Sequence, residues 1–322
     1  MKLTYTPETL VSASVPTFYF IGVSTGSSSI RTVFPRWAEA LGLGDVRLVG
    51  IDLPLHAAPE RYRRVVSFLR SDPLSLGALV TTHKIDMYRS ASDLFDRVDP
   101  LADLMGEVSC LAMKGDELHA SAKDPHSSGL AIDEFAPADF WRRRPRDLFL
   151  MGAGGSAIAI DWYLTRPDRG DARPARVIVS NRSAPRLETM REIHGRMAPD
   201  IPFMAVQSPS PELNDQALAT LAPGAMVVNA TGLGKDAPGS PLTDAAIFPP
   251  AATVWELNYR GDLVFLDQAR RQQAGADLTV EDGWVYFLHG WTQVISEVFD
   301  IEIDPRSDVF GELAAIAESA RG

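Results

Sequence analysis

Six residues, Gly152-Ala153-Gly154-Gly155-Ser156-Ala157, follow an apolar run of strand length at 147–151 and precede a helix-forming stretch at 158–164. The first glycine permits a tight turn, the second lets backbone N–H groups approach a pyrophosphate, and Ala157 takes the third, close-packing position. An anion held there rests on a helix N-terminus, where unpaired N–H groups and the helix dipole favour negative charge. The whole segment, Gly152 through Ala157, is therefore a candidate dinucleotide cradle. The end of the following strand decides which dinucleotide it takes. A carboxylate at that place accepts from a ribose 2′-hydroxyl and repels a 2′-phosphate. This chain instead carries Asn181-Arg182-Ser183, with Arg186 one turn later. Two guanidinium groups and no carboxylate suit a doubly charged phosphate, so NADP is expected rather than NAD.

Such a loop needs a sheet to carry it. Short apolar runs at 18–23, 46–53 and 76–81 alternate with helical stretches at about 30–43 and 58–70, the rhythm of βαβ units and a mostly parallel sheet. Ile30, Val33, Phe34, Trp37, Ala38 and Leu41 form one apolar helical stripe. Pro35 interrupts it, tolerably if the helix begins near Val33 and with a kink otherwise. Pro137, Pro145 and Arg142-Arg143-Arg144 mark a boundary, after which strands recur near 147–151, 176–180, 203–206, 225–229 and 253–257. The expectation is an α/β protein of two domains. Residues 1–138, completed by 271–322, bind substrate, and residues 139–270 form a Rossmann-type dinucleotide domain. The stripe Trp284, Phe287, Leu288, Trp291, Ile295 and Val298 is expected to return the C-terminal helices to the first domain.

Composition narrows the class. A chain of 322 residues with 45% hydrophobic content has material for two cores, and 31 Lys+Arg against 42 Asp+Glu leave a net charge of −11. No basic face offsets that balance, so nucleic acid is a poor partner. The single Cys110 builds neither a disulfide nor a thiolate zinc site, and six scattered His residues lack metal-ligand spacing, so no metal is expected. With no secretory h-region and no apolar run of spanning length, the expectation is a soluble cytoplasmic protein with no membrane partner, either a monomer or a homodimer.

Read together, the motifs resemble the shikimate dehydrogenase family over nearly the whole chain. The glycine loop followed by Asn181-Arg182-Ser183 is similar to that family's NADP segment. Asn229-Ala230-Thr231-Gly232-Leu233-Gly234 resembles its Asn-Ala-Thr-x-x-Gly turn beside the nicotinamide, adding Ala230, Thr231 and Gly232 to the cofactor set. Glu256-Leu257-Asn258-Tyr259 stands where an Asp-x-x-Tyr segment is usual. Ser27-Ser28-Ser29 resembles a Ser-x-Ser pair that grips a substrate carboxylate. Val80-Thr81-Thr82-His83-Lys84 resembles a shortened Asn-Val-Thr-x-Pro-x-Lys segment with the catalytic lysine, and Ala122-Lys123-Asp124 resembles Asn-Thr-Asp with the catalytic aspartate.

The resemblance implies an NADP-linked dehydrogenase in which Lys84 and Asp124 form the catalytic pair. Lysine supplies charge and a proton to the carbonyl oxygen as hydride arrives at carbon, and the aspartate orients the same hydroxyl. Ser27, Ser29, Thr81, Ser109, Tyr259 and His289 are the candidate substrate contacts, in a cleft at the carboxyl ends of both sheets. The departures bear on substrate. Leu79 replaces an asparagine, Ser109 replaces another, Ala122 a third, Gly290 stands at a glutamine position, and the proline before the lysine is deleted. The carboxylate clamp and the Lys/Asp pair are kept while several hydroxyl-binding groups are not. The expected substrate is thus a carboxylated cyclic, shikimate-like compound: shikimate, quinate, aminoshikimate or a relative. The rivals are a catalytically silent NADP-binding sensor or partner subunit on the same fold, and a dehydrogenase of methylenetetrahydrofolate type.

Overall fold

The computed structural model describes residues 4–235 and 237–321. The chain folds into two compact units, one running up to Lys123 and resuming at Gly290, the other Asp124–His289.

The first unit is built on a seven-stranded sheet of β1 (Thr4–Tyr5), β2 (Thr17–Gly22), β3 (Arg47–Asp52), β4 (Ser75–Val80), β5 (Arg97–Val98), β6 (Cys110–Lys114) and β7 (Glu117–Ser121), in the order β1-β3-β2-β4-β6-β7-β5. Helices α1 (Ile30–Ala40), α2 (Pro59–Ser71), α3 (Lys84–Ala91) and α4 (Pro100–Met105) connect them. Strands β1 to β4 are parallel, and β6 enters antiparallel beside β4. The β6–β7 hairpin turns at Gly115, whose φ of 63° is natural for glycine. The stripe on α1 is buried as its spacing requires, with Ile30, Val33, Phe34 and Trp37 at 0% exposure. That helix begins at Ile30, not Val33, so Pro35 is interior and removes one helical hydrogen bond.

The second unit begins with α5 (Asp124–Phe135) and α6 (Ala138–Arg142). Its sheet holds β8 (Asp147–Met151), β9 (Arg176–Asn181), β10 (Phe203–Gln207), β11 (Met226–Asn229), β12 (Thr253–Glu256) and β13 (Thr279–Glu281), all parallel, in the order β10-β9-β8-β11-β12-β13. Helices α7 (Gly155–Thr165), α8 (Ala184–Met197), α9 (Pro211–Leu218) and α10 (Val264–Ala276) alternate with these strands. This is the doubly wound Rossmann order, which reverses between β8 and β11. Both faces being covered, the strands read as continuous apolar runs, and β8 is buried at every position.

Helix α11 (Trp284–Phe299) crosses the division between units, and α12 (Asp308–Glu318) follows it. Its aromatic stripe accordingly splits. Trp284 and Phe287 pack on Tyr259 in the second unit, while Trp291 packs edge-on against Phe18 and Phe20 in the first. Among the described residues no helix is long and apolar enough to cross a membrane.

The units part at 123/124 and 289/290, where the sequence reading places the boundaries at 138/139 and 270/271. Packing explains the difference. Helix α5 lies against α7 at Gly129, where a Cβ would stand 2.1 Å from Tyr163 Cε2. That ring is pinned by a hydrogen bond from its hydroxyl to Asp133 and by the Arg166 guanidinium, 4.4 Å from the ring centroid. The Pro-rich stretch at 137–145 therefore joins elements within a unit.

Because Tyr163 has no room to withdraw, Gly129→Ala should destabilise the protein by about 1–3 kcal/mol. The check is the midpoint of urea unfolding, which should fall, with the slope unchanged.

Candidate functional site

In the first unit the parallel register aligns Gly22 with Asp52 and Ile21 with Val80, so the segments after β2, β3 and β4 leave from one edge. Asp52 ties them down: its Oδ1 accepts from the Thr25 backbone N–H at 2.8 Å and from Thr25 Oγ1 at 2.7 Å. This fixes the short turn Thr25–Ser27, which leads through Ser28 into α1. Ser27 is exposed, and its hydroxyl reaches the Ser24 carbonyl at 3.4 Å. Ser29 occupies the N-cap position of α1 without a side-chain capping bond, so its hydroxyl is not consumed by the helix end.

Thr81 follows β4, and its hydroxyl donates to the Ile21 carbonyl at 3.1 Å. A Cβ on Gly22 would lie 2.9 Å from that hydroxyl, so the two strand ends touch. His83 is wholly buried and bonded through Nδ1 to the Tyr62 hydroxyl at 3.1 Å; burial holds its imidazole below the usual range. It anchors the first turn of α3, which Lys84 opens. The Lys84 carbonyl accepts from Val108 N–H at 3.2 Å, and Ser109 bonds the adjoining Val80 through its own carbonyl. The Ser109 hydroxyl accepts from Lys123 N–H at 2.6 Å, ordering the residue before Asp124. Ser27, Ser29, Thr81, Lys84 and Ser109 therefore belong to segments at one end of one sheet. Cys110, next to Ser109, is fully buried, and burial pushes its thiol up to about 12, which excludes thiolate chemistry at neutral pH.

The glycine loop of the second unit leaves β8 at the point where the strand order reverses. Gly152 has φ 112°, and a Cβ there would lie 2.5 Å from the Ala230 carbonyl oxygen. Its N–H donates to the Ser180 carbonyl at 2.7 Å, and Ala230 N–H donates to the Met151 carbonyl at 2.8 Å. The glycine loop, the end of β9 and the turn after β11 are thus laced edge to edge. Gly154 is the N-cap of α7 and supplies no side chain, and a Cβ on it would meet nothing within 4 Å. The first turn of that helix therefore presents bare backbone N–H groups over open space.

Beyond β9, Ser183 caps α8 by accepting from Arg186 N–H at 3.5 Å, and the Asn181 side-chain amide reaches the Ser183 carbonyl at 3.4 Å. Arg182 and Arg186 are exposed, and neither guanidinium is ion-paired with another described residue. Across the loop, Asn229 Oδ1 accepts from both Thr231 N–H (3.1 Å) and Thr231 Oγ1 (2.6 Å), holding the turn through Ala230 and Gly232, whose φ is 76°.

Behind this turn lies a carboxylate that carries more than its motif indicates. Glu256 Oε2 accepts from Asn229 Nδ2 at 2.6 Å, and Oε1 accepts from Asn258 N–H at 2.8 Å and Asn258 Nδ2 at 2.7 Å. The Asn258 side chain also donates to the Leu233 carbonyl at 3.2 Å. Burial pushes the Glu256 carboxyl up to about 7, against the pull of these donors. Tyr259 is half-buried, its ring flanked by Trp284 (5.4 Å) and Phe287 (4.6 Å). His289 is buried, with Nε2 bonded to Glu134 Oε1 at 2.8 Å.

Asp124 is the first residue of α5 and is 6% exposed. Its Oδ2 accepts from the Tyr286 hydroxyl at 2.9 Å, and that hydroxyl is 3.3 Å from Ser156 Oγ in the glycine loop. Sequence reasoning missed Tyr286. It falls off the apolar stripe of α11, so periodicity gives it no role, and only the fold brings it to Asp124. At Gly290 a Cβ would meet nothing within 4 Å, so packing does not require a glycine there.

No family model matches the chain. Among curated proteins it is 29% identical over 301 residues to "Shikimate dehydrogenase (NADP(+))" of Rhodopseudomonas palustris (strain HaA2), covering 93% of this chain and 94% of that protein. A protein of the same name from Geobacter metallireducens is 29% identical over 224 residues, 69% of this chain and 70% of the relative. Similar solved structures include the shikimate 5-dehydrogenase of Thermus thermophilus in complex with NADP(H) and shikimate (TM-score 0.67, 21% identity, 94% and 99% of the two chains). Another is the quinate dehydrogenase of Corynebacterium glutamicum in complex with NAD (TM-score 0.69, 16% identity, 95% and 99%). The ligand-free 5-ketofructose reductase of a Gluconobacter species shares the fold as well (TM-score 0.65, 17% identity, 95% and 99%).

Glu256 makes the turn's stability pH-dependent. Its folded value near 7 lies above the ordinary 4.5, so its contribution is fully present below about pH 4.5 and is lost as pH rises to about 7. The stability difference between wild type and Glu256→Gln should therefore shift against wild type by about 3 kcal/mol from about pH 4.5 to about pH 8. Urea unfolding of both proteins across that range measures it.

Proposed function

We propose that the chain is a member of the shikimate dehydrogenase family and that it interconverts a ketone and a secondary alcohol on a carboxylated cyclic, shikimate-like compound, with NADP as its dinucleotide. The observation that carries the reading is the Tyr286 bridge between Asp124 and Ser156, which joins the family's aspartate to the glycine loop.

The residues present fit the dinucleotide. Gly152 admits no Cβ, Gly154 leaves open space before α7, and Arg182 and Arg186 offer two exposed guanidinium groups without ion-pair partners among the described residues. We assign the pyrophosphate to Gly152 through Ala157, the 2′-phosphate to Asn181, Arg182, Ser183 and Arg186, and the nicotinamide side to Ala230, Thr231 and Gly232. When bound, NADP supplies or accepts the hydride.

The chain's own part is the proton and the orientation. Lys84 is assigned the proton at the carbonyl oxygen, its ammonium stabilising the alkoxide as charge develops. Asp124 accepts from the same hydroxyl and fixes its direction. Ser27 and Ser29 are assigned the carboxylate, which two hydroxyl donors on an ordered turn suit. Thr81, Ser109, Tyr259 and His289 complete the proposed substrate set, with His289 oriented by Glu134. The open space at Gly290, with Leu79 and Ala122 lacking polar groups, favours a substrate that differs from shikimate at the ring hydroxyls.

Two measurements test the proposal. Lys84→Ala should lower kcat by roughly 10²–10⁴-fold while NADP+ affinity stays within about twofold. The assay is NADP+ reduction over a panel of shikimate, quinate, aminoshikimate and related hydroxy acids. NADP+ binding without turnover on any of them sinks the proposed substrate class and supports the silent sensor. Replacing both Arg182 and Arg186 by Ala should weaken NADP+ binding by about 10–100-fold and leave NAD+ binding nearly unchanged, read by calorimetry.

A further inference from the structure

The geometry points to Tyr286 as a positioning residue that holds Asp124 and couples it to the glycine loop. This inference rests on the assignment of Asp124 above. A phenol has one proton, and the Tyr286 oxygen lies 2.9 Å from Asp124 Oδ2 and 3.3 Å from Ser156 Oγ. The shorter contact, to the carboxylate, takes the phenol proton. Ser156 can then donate its own hydroxyl hydrogen to the phenol oxygen, giving a directed chain from Ser156 through Tyr286 to Asp124 in which each donor polarises the next.

The ring that carries the phenol is held in place. It meets Trp255 at 5.7 Å, edge-on at 73°, and Trp255 is locked by its indole N–H to the Asp282 carbonyl at 3.2 Å. The other end of the chain is equally placed, since Ser156 is the second residue of α7, within the loop assigned to the pyrophosphate. Two groups with separate tasks, one toward the substrate hydroxyl and one toward the dinucleotide, therefore share a single hydroxyl. A change in how Ser156 spends its proton alters the strength with which Tyr286 holds Asp124, and the reverse.

Tyr286→Phe keeps the ring against Trp255 and removes only the hydroxyl. Losing a hydrogen bond to a charged group should lower kcat by roughly 10–100-fold in NADP+ reduction, with KM for NADP+ within about twofold. In an Asp124→Asn background the same change should cost less than about twofold, because the partner through which Tyr286 acts is already altered. A binding measurement without turnover reads the coupling directly. Asp124→Asn should shift the Kd of NADP+ by about threefold or more when Tyr286 is present, and by less than half that in Tyr286→Phe. Equal shifts in both backgrounds, or equal losses of kcat with and without the Asp124 carboxylate, reduce Tyr286 to packing and overturn the inference. Wild-type turnover in Tyr286→Phe does the same. Should Asp124→Asn alone keep full turnover, the Lys84/Asp124 assignment fails instead, an outcome visible before Tyr286 is touched.

Discussion

A Cβ on Gly152 would stand 2.5 Å from the carbonyl oxygen of Ala230, closer than any side chain can be accommodated. The rest of the dinucleotide unit follows from that approach. With φ at 112° the chain turns sharply out of β8, and the same turn lets Gly152 donate to Ser180 while Ala230 donates to Met151. Three crossovers are thereby fastened at the one edge where the strand order reverses, the edge at which an open parallel sheet leaves a crevice. The loop is narrow because it is laced on both sides, and a narrow loop is what brings backbone N–H groups, rather than side chains, up to an anion.

The polar groups behind the crevice are arranged for shape more than for stability. Glu256 is taken out of water and accepts from both Asn229 and Asn258, while Asn258 also holds the Leu233 carbonyl, so the turn from Asn229 to Leu233 has no freedom to reorganise. A buried carboxylate that ionises only near pH 7 costs free energy over most of the neutral range. An apolar residue of similar volume would relieve that cost, but it would also release Asn229, whose carbonyl oxygen sets the Thr231 hydroxyl and N–H. The network trades stability for a turn whose shape is fixed by its own side chains.

Much of this is readable from residue order, and the exceptions have physical causes. The glycine loop, the Asn181–Arg186 segment and the apolar strands of the second sheet announce themselves because each is local: a turn chemistry, a cap, a run of buried β-branched residues. The hairpin of β6 and β7 and the short β5 are not legible, since β5 has only two residues and β6 and β7 only five each, too few to display a period around the charged turn at Lys114 and Asp116. The unit boundary falls elsewhere than the prolines suggest because proline and arginine mark a loop whether it joins domains or helices of one domain, and only the fit of Gly129 against Tyr163 distinguishes the two. Tyr286 is invisible for a different reason. A polar residue off the apolar face of a helix reads as solvent-facing, and its bond to Asp124 spans 162 positions of the chain.

The charge of the chain shows why composition excludes partners better than it describes sites. A net −11 spread over the molecule acts on a ligand through solvent, and at physiological ionic strength such fields fade over about 8 Å. Within that distance the local inventory governs. Neither Arg182 nor Arg186 is ion-paired with a described carboxylate, although the acidic residues outnumber the basic ones by 42 to 31. Several arginines elsewhere are ion-paired: Arg176 with Asp147, Arg142 with Asp171, Arg173 with Asp200, Arg63 with Asp93. Those carboxylates offset positive charge away from the crevice, while the pair beside the glycine loop faces no described carboxylate. A global balance that argues against a polyanion is compatible with a strong site for a single phosphate, since the first depends on the sum and the second on which cations the sum leaves free.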